Sequence, residues 1–388
     1  MKKMFLLFAI MLSSLTAKAD GSGKCGDNLT WTYTESTKTL TIGGTGVMYD
    51  YSPSTSSWPG WNDNKNIEKI LIGSGVTSIG NFAFYNLKKA TYAEIANTVT
   101  LIGESAFERC SGLTSITIPN GVASIEKSAF NNCTGLTSIV IPNSVTSIGE
   151  KAFQDCSGLT SVIIGNNVTS IGDMAFRGCS SIASVVVENG NQAYDSRDQC
   201  NAIIKTSSNT LIAGCKTTAV PNSVTCIGDF AFFGCSELIF IIIPNNVTSV
   251  GESAFGNCTG LTSVVIGNGV TSIGNYAFQK DTQLQDVYCY VDQKPTTGTD
   301  IFISSNRANA TLHVPSSALT VYQGEDPWKD FKSIVALTND DPKPTGIKMV
   351  KNAMLNARNY YDLNGRKLSE KPAQKGVYIS KGRKVVVK

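Results

Sequence analysis

Apolar residues in this chain follow no single period; they follow a phrase of 23 residues that is repeated along most of its length. In Leu136–Cys156, LTSIVIPNSVTSIGEKAFQDC, Ile139 and Ile141 alternate with Ser138 and Val140, the two-residue period of a strand with one buried face. Pro142-Asn143 turns the chain, as Gly165-Asn166 does one unit later. Val145 to Ile148 reads as a second short extended piece. Gly149 then permits a bend into a single helical or 3₁₀ turn carrying Ala152 and Phe153.

The phenylalanine of the Ala-Phe pair marks the period. It stands at 84, 107, 130, 153 and 176, and again at 232, 255 and 278. The irregular interval, Phe176 to Phe232, spans 56 residues, two periods plus ten. Units starting at 67, 90, 113, 136, 159, 182, 215, 238, 261 and 284 give ten coils, the sixth enlarged from 23 to 33 residues. A unit this short cannot bury its own apolar face, so coils must stack on one another. The expected fold is therefore mainly β with short helical turns. It is a solenoid whose strands form parallel ladders ~4.8 Å apart, a rod on the order of 50 Å long.

The phrase LTSIxIPxxVTSIGxxAFxxC, running over residues 67–291, resembles the leucine-rich repeats of the bacterial surface protein A-like (BspA-like) family, the Treponema pallidum type. Cys25 to Tyr51 resembles that family's amino-terminal β cap and Ala310 to Val335 its carboxy-terminal cap. Caps are physically required, because an open solenoid end exposes unpaired strand edges and core. The resulting division is a leader (1–19), an amino-terminal β cap (20–62), the leucine-rich-repeat solenoid (63–292), a carboxy-terminal cap (293–337), a polar linker (338–345) and a small β unit (346–388). The last resembles the carboxy-terminal domains of secreted Bacteroidetes proteins, some of which are sorting signals. The family resemblance implies adhesion to host matrix or to other cells.

The leader, MKKMFLLFAIMLSSLTAKA, has the basic start, short apolar run and small terminal residues of a secretory signal peptide, which places the expected protein outside the cell or on its surface. No later stretch approaches the ~20 apolar residues of a spanning helix. Lys2, Lys3 and Lys18 account for the whole net charge of +3. Residues 346–388 hold eleven Lys or Arg against Asp362 and Glu370, so nine positive charges there balance nine negative ones on residues 20–345. A basic tail of this size reads as a solvated surface, and no nucleic-acid partner is expected.

Catalytic chemistry finds few residues to work with. His313 is the sole imidazole, which excludes Ser-His-Asp and Cys-His arrangements and leaves tetrahedral metal sites short of ligands. Neither a cofactor nor an enzymatic activity is expected; a glycan hydrolase using carboxylates of the insertion or caps is the rival reading. Cys110, Cys133, Cys156, Cys179, Cys235 and Cys258 each follow the repeat phenylalanine by three and form one file. At ~4.8 Å such neighbours lie beyond the ~3.5–4.5 Å Cβ separation of a disulfide, so they read as buried free thiols. Asp281 takes this place in the last full coil, where the file is expected to give way to solvent. The pairing of Cys200 with Cys215 stays open. Acids after the repeat glycine, Glu104, Glu150, Asp173, Asp229 and Glu252, read as first-turn residues favoured by a helix dipole, with a calcium-binding file as the alternative.

The candidate contacts are the outward strand positions Val140, Ile163, Val186, Ile242, Val265 and Tyr288, a β-branched stripe flanked by Ser and Thr. The competing reading is that β-branched residues merely suit strands and are covered by neighbouring coils. A second candidate is the ten-residue insertion, which offers Tyr194, Asp195 and Asp198 with Asn191 and Arg197. The expected protein is a monomeric binding surface for a protein partner. Sparse aromatic platforms make glycan the weaker choice, and a passive spacer is the remaining alternative.

Overall fold

The computed structural model describes residues 20–52, 59–61 and 66–345, together with the backbone of four later strands. The leader at 1–19 and most of the basic tail lie outside the described residues. Tyr360–Tyr361, Lys367–Leu368, Gly376–Ser380 and Arg383–Val387 pair antiparallel in one four-stranded sheet.

The repeat becomes a mainly β solenoid of about 12 turns. Each coil places its first strand beside the equivalent residues of the next. Ser138, Ile139, Val140 and Ile141 pair with Ser161, Val162, Ile163 and Ile164, and these with Ser184, Val185, Val186 and Val187. The second short strands do the same, Ser124-Ile125 against Ser147-Ile148 against Ser170-Ile171. Register is thus the sequence period itself, and every inward position becomes a column.

The aromatic column shows the consequence. Phe84, Phe107, Phe130, Phe153 and Phe176 stack with centroids 5.0, 5.3, 5.3 and 5.4 Å apart, and Phe232, Phe255 and Phe278 repeat the arrangement at 4.9 and 5.3 Å. It reaches further than the Ala-Phe phrase. Trp61 continues it on Phe84 at 5.9 Å, and Phe302 on Phe278 at 5.4 Å. The parallel ladder reaches equally far, from Thr39–Gly44 beside Lys69–Ile72 to Asp286–Cys289 beside Thr311–Val314. Both caps therefore contain a solenoid turn, which is why about twelve turns stand where ten were counted.

The expected helical turn around each phenylalanine is replaced by another device. Lys151 and Asp155 hold left-handed backbone, φ 59° and 56°, with Phe153 between them. This sets three successive alternate N–H groups, of Lys151, Phe153 and Asp155, toward the carbonyls of Asp173, Ala175 and Arg177 in the next coil, at 2.9, 2.8 and 2.8 Å. A left-handed residue other than glycine costs roughly 1–2 kcal/mol. Here the lateral hydrogen bonds and the stacked rings offset that cost. The acids after the repeat glycine are consequently not helix-dipole residues. Short polar side chains at that position accept the N–H of the next coil, as Asn81 Oδ1 does from Glu104 (2.7 Å) and Asp229 Oδ1 from Glu252 (2.6 Å).

All eleven cysteines are free, Cys200 and Cys215 included. The thiols of Cys110, Cys133, Cys156 and Cys179 donate to the carbonyls of Phe84, Phe107, Phe130 and Phe153 at 3.0–3.1 Å, tying each coil to the one before. Burial pushes the Cys110 and Cys235 thiols up from 9.0 to about 12. Asp281 is not at solvent as expected but fully buried, its Oδ1 accepting the Cys258 N–H at 2.9 Å. Burial holds its carboxyl well above the usual carboxylate range.

Two outcomes follow from this packing. Phe153→Ala removes a ring stacked on both sides and is expected to cost roughly 3–5 kcal/mol in equilibrium denaturation. The raised thiols keep their protons in the folded state after the unfolded chain has begun to lose them. Their contribution is thus present below pH 9 and lost as pH rises toward about 12. Melting temperatures measured across that window are expected to fall, less so in a Cys110→Ala, Cys235→Ala variant.

Candidate binding surface

Alternation along the first strands leaves one face outward, and parallel pairing turns it into columns. Leu71 and Glu94 are neighbours in one column, and Val140, Ile163 and Val186 in its continuation. Val140 is 53% exposed and Val186 43%, with Ile163 half-buried between them. Beside them run Lys69, Tyr92 and Ser115, then Ser138, Ser161 and Ser184. Tyr92 is 43% exposed, and its hydroxyl donates to Glu94 at 3.1 Å. Tyr92 and Glu94 escaped the sequence reading because their coil departs from the Thr-Ser-Ile phrase, although the register alone places them on this face.

The stripe does not continue as expected into the carboxy-terminal coils. Ile242, Val265 and Tyr288 do form one column, but Ile242 and Val265 are buried. Tyr288 is half-buried and stacks on His313, centroids 4.3 Å apart. At this end of the face residues 338–345 turn back after the last strand. Leu337 N–H donates to Val314, the Asp341 carboxylate stands 3.9 Å from His313 Nδ1, and Lys343 Nζ lies 5.6 Å from the centre of the Tyr290 ring. Within the segment Pro344 is itself buried.

Between the two halves the solenoid is interrupted. The buried apolar residues fall into two clusters that meet around Cys200 to Cys215, and the aromatic column breaks between Phe176 and Phe232. The enlarged coil fills the gap with antiparallel strands: Tyr194–Asp195 pairs with Ile203–Lys205, and that with Thr210–Ala213, which rejoins the parallel ladder at Cys226–Ile227. Gly178 and Gly234, φ +76° each, let the flanking corners touch, since a Cβ on Gly234 would stand 3.3 Å from Gly178 Cα. A side cavity of about 460 Å³ remains, lined by Ile171, Met174, Phe176, Ile212, Asp229 and Phe230 among others.

The insertion residues proposed as contacts prove largely structural. Tyr194 is buried, and its hydroxyl accepts the N–H of Ile171 at 2.9 Å, closing a strand edge that the irregular coil leaves without a partner. Asn191 donates to the carbonyls of Gly165 and Val168, both at 3.0 Å. Asp195 is engaged by Arg197 at 2.6 Å. Asp198 alone of the three predicted residues is exposed, at a left-handed position with φ 59°. Among the described residues no group of three or more His, Cys, Asp or Glu is placed to hold a metal ion, and no helix is long and apolar enough to cross a membrane.

Periodicity, corner geometry and columns together define a leucine-rich-repeat solenoid of bacterial type. The BspA type leucine rich repeat region matches in six copies over residues 61–195 and 207–323, and the chain belongs to that family. No curated protein matches it. Among solved structures, it is similar to a leucine-rich repeat protein from Eubacterium ventriosum, with 22% identity and a TM-score of 0.62 over 81% of this chain and 84% of that one. A leucine rich cell surface protein from Faecalibacterium prausnitzii gives 22% identity and a TM-score of 0.45, covering 82% and 96%. The T. pallidum leucine rich repeat protein gives 24% and 0.36, covering 60% and 86%. The first of these shares the fold.

Tyr194→Phe is expected to leave the half-buried Ile171 N–H without its acceptor and to lower stability by about 0.5–1.5 kcal/mol. Urea denaturation measures this; an unchanged midpoint would show that the hydroxyl does not close the break.

Proposed function

We propose that this protein acts at the cell surface or outside the cell as a rigid binding surface for another protein, and that the outward face of its amino-terminal coils makes the contact. The observation that carries the reading is the run of uncovered columns there. Tyr92, Val140 and Val186 stand exposed: the strand of Tyr92 is paired on both sides, and those of Val140 and Val186 both pair with the strand of Ile163 between them, flanked by Ser138, Ser161 and Ser184. Apolar side chains fixed on a stiff sheet lose little freedom on binding, which favours association. An extended row of this kind suits a partner that lies across several coils, since neighbouring residues recur every ~4.8 Å.

Catalysis has less support. The sole imidazole, His313, lies 3.1 Å from Asp286 and under the returning segment, its ring stacked on Tyr288. Asp195, the insertion carboxylate best placed for such work, is held by Arg197. Export rests on the leader at residues 1–19. The adhesive role implied by the repeat family is the natural use of such a face, with host matrix protein or another cell as the partner.

The test compares the full mature chain with a Val140→Lys, Val186→Lys variant for binding to immobilised extracellular-matrix proteins. Both positions are exposed, so melting is expected to change by no more than about 0.5 kcal/mol. Affinity is expected to fall about tenfold or more, ~1.4 kcal/mol. Equal, saturable binding by both proteins would remove this face from the contact, and absence of saturable binding by either would favour a passive spacer.

A further inference from the structure

The carboxy-terminal half carries a second outward face that is closed rather than open. Its central column runs Ile242, Val265, Tyr288, His313 and Val335 across five parallel strands. Only the last is exposed, at 39%. The returning segment reads Thr338-Asn339-Asp340-Asp341-Pro342-Lys343-Pro344-Thr345. Proline fixes its own φ near −65° and drives the residue before it out of the helical region. Asp341 to Pro344, with prolines at alternate places, is thereby preset to an extended, polyproline-like course.

Its footing can be followed residue by residue. Asp341 stands over His313, and each further residue advances ~3.1 Å along a polyproline helix. Three residues therefore cover ~9 Å, two strand spacings of ~4.8 Å. That length is enough to bring Pro344 past Tyr288, where the chain turns, the Thr345 N–H donating to the Lys343 carbonyl at 2.8 Å. Lys343 lies near Tyr290, and Pro344, Val265 and Ile242 are all buried. Aromatic surfaces receiving proline rings and a nearby cation form a recurring mode of polyproline recognition.

The segment is held lightly for one so well seated. After Leu337 N–H reaches Val314, the main-chain hydrogen bond shown for residues 338–345 is internal, from Thr345 to Lys343. The side-chain bonds of Asp341 to Thr338 N–H (2.6 Å) and of Lys343 to the Thr338 carbonyl (3.0 Å) are internal as well. What joins it to the sheet is side-chain contact with His313 and Tyr290 and the burial of proline. Segments attached in this way open at far lower free energy than laddered strands.

We propose that the outward face around Tyr288, Tyr290 and His313 is a binding track for proline-containing extended segments of other proteins, and that Asp341–Pro344 occupies it as an intramolecular ligand. The class of ligand is fixed by the occupant: an extended segment with alternate prolines, a carboxylate to meet His313 and a cation to meet Tyr290. Tethering gives the internal copy a high effective concentration, so free ligand competes with it at a disadvantage. The track is separate from the amino-terminal face, and neither reading needs the other.

The experiment uses the full mature chain and a fluorescein-labelled peptide of residues 338–347, TNDDPKPTGI, followed by anisotropy. In a full-length Asp341→Ala, Lys343→Ala variant, whose changes lie outside the solenoid, the peptide is expected to bind saturably and roughly tenfold or more tighter than to wild type. Adding Tyr288→Ala or, separately, His313→Gln is expected to abolish that gain while the melting transition stays in place; two substitutions are used so that misfolding of one leaves the other decisive. A peptide with both prolines replaced by glycine is expected not to bind. Equal peptide affinity in wild type and variant, equal binding of the proline-free peptide, or dimerisation of the variant without peptide binding would each overturn the proposal. The last would assign the face to a second copy of the chain.

Discussion

Everything in this molecule depends on each coil meeting its neighbour at the same residue. Coils of this length enclose too little apolar volume to persist alone, and their polar groups are completed only by the next coil. The main chain donates laterally in strands and corners alike. Threonine hydroxyls repeat the pattern, Thr114, Thr137 and Thr160 each donating to the carbonyl of residue 91, 114 or 137 one coil back, at 3.2, 3.2 and 2.9 Å. The thiols do the same toward phenylalanine carbonyls. One displacement of register would undo all of these sets together, so the repeated phrase is conserved along the chain by geometry rather than by any single strong contact.

That dependence explains what the sequence discloses. A fixed interval between Ala-Phe pairs suffices to place the phenylalanines in one column, to make the ladders parallel and to bury the cysteines without joining them. It reveals less at the ends and the middle. Trp61 fills the aromatic column with a different ring, and Phe302 does so without its alanine, so a search for the phrase stops one turn short on each side. The corner also escapes notice, because lysine, serine, methionine and phenylalanine all take the left-handed place at residues 151, 105, 174 and 82. Nothing in their composition signals that backbone; the lateral bonds impose it.

The outward face was legible only in part for a related reason. Repeat register tells which residues point away from the core, and Val140, Ile163 and Val186 do. It says nothing about what a later stretch of chain lays over them. Residues 338–345 are polar and proline-bearing, the composition of a connector, yet Asp341 and Lys343 fold back onto His313 and Tyr290. The enlarged coil misleads in the opposite direction. Its conspicuous polar residues suggest a contact site, but Tyr194 and Asn191 are consumed in healing the break that the extra ten residues create.

The corner pairing has an electrical consequence. In each regular coil the peptide units before the residue equivalent to Phe153 and its two alternate neighbours point their carbonyls toward the amino-terminal end of the rod and their N–H groups toward the other. Three parallel peptide dipoles per ~4.8 Å approach the density of an α-helix, about 3.6 per ~5.4 Å. The column behaves as a macrodipole without a helix, negative at the end where Trp61 donates its indole N–H to the Ala83 carbonyl at 3.1 Å. The enlarged coil cuts this array at Met174 and Phe176, so the positive end of one array and the negative end of the next, at Asp229 and Ala231, face the same side cavity midway along the rod.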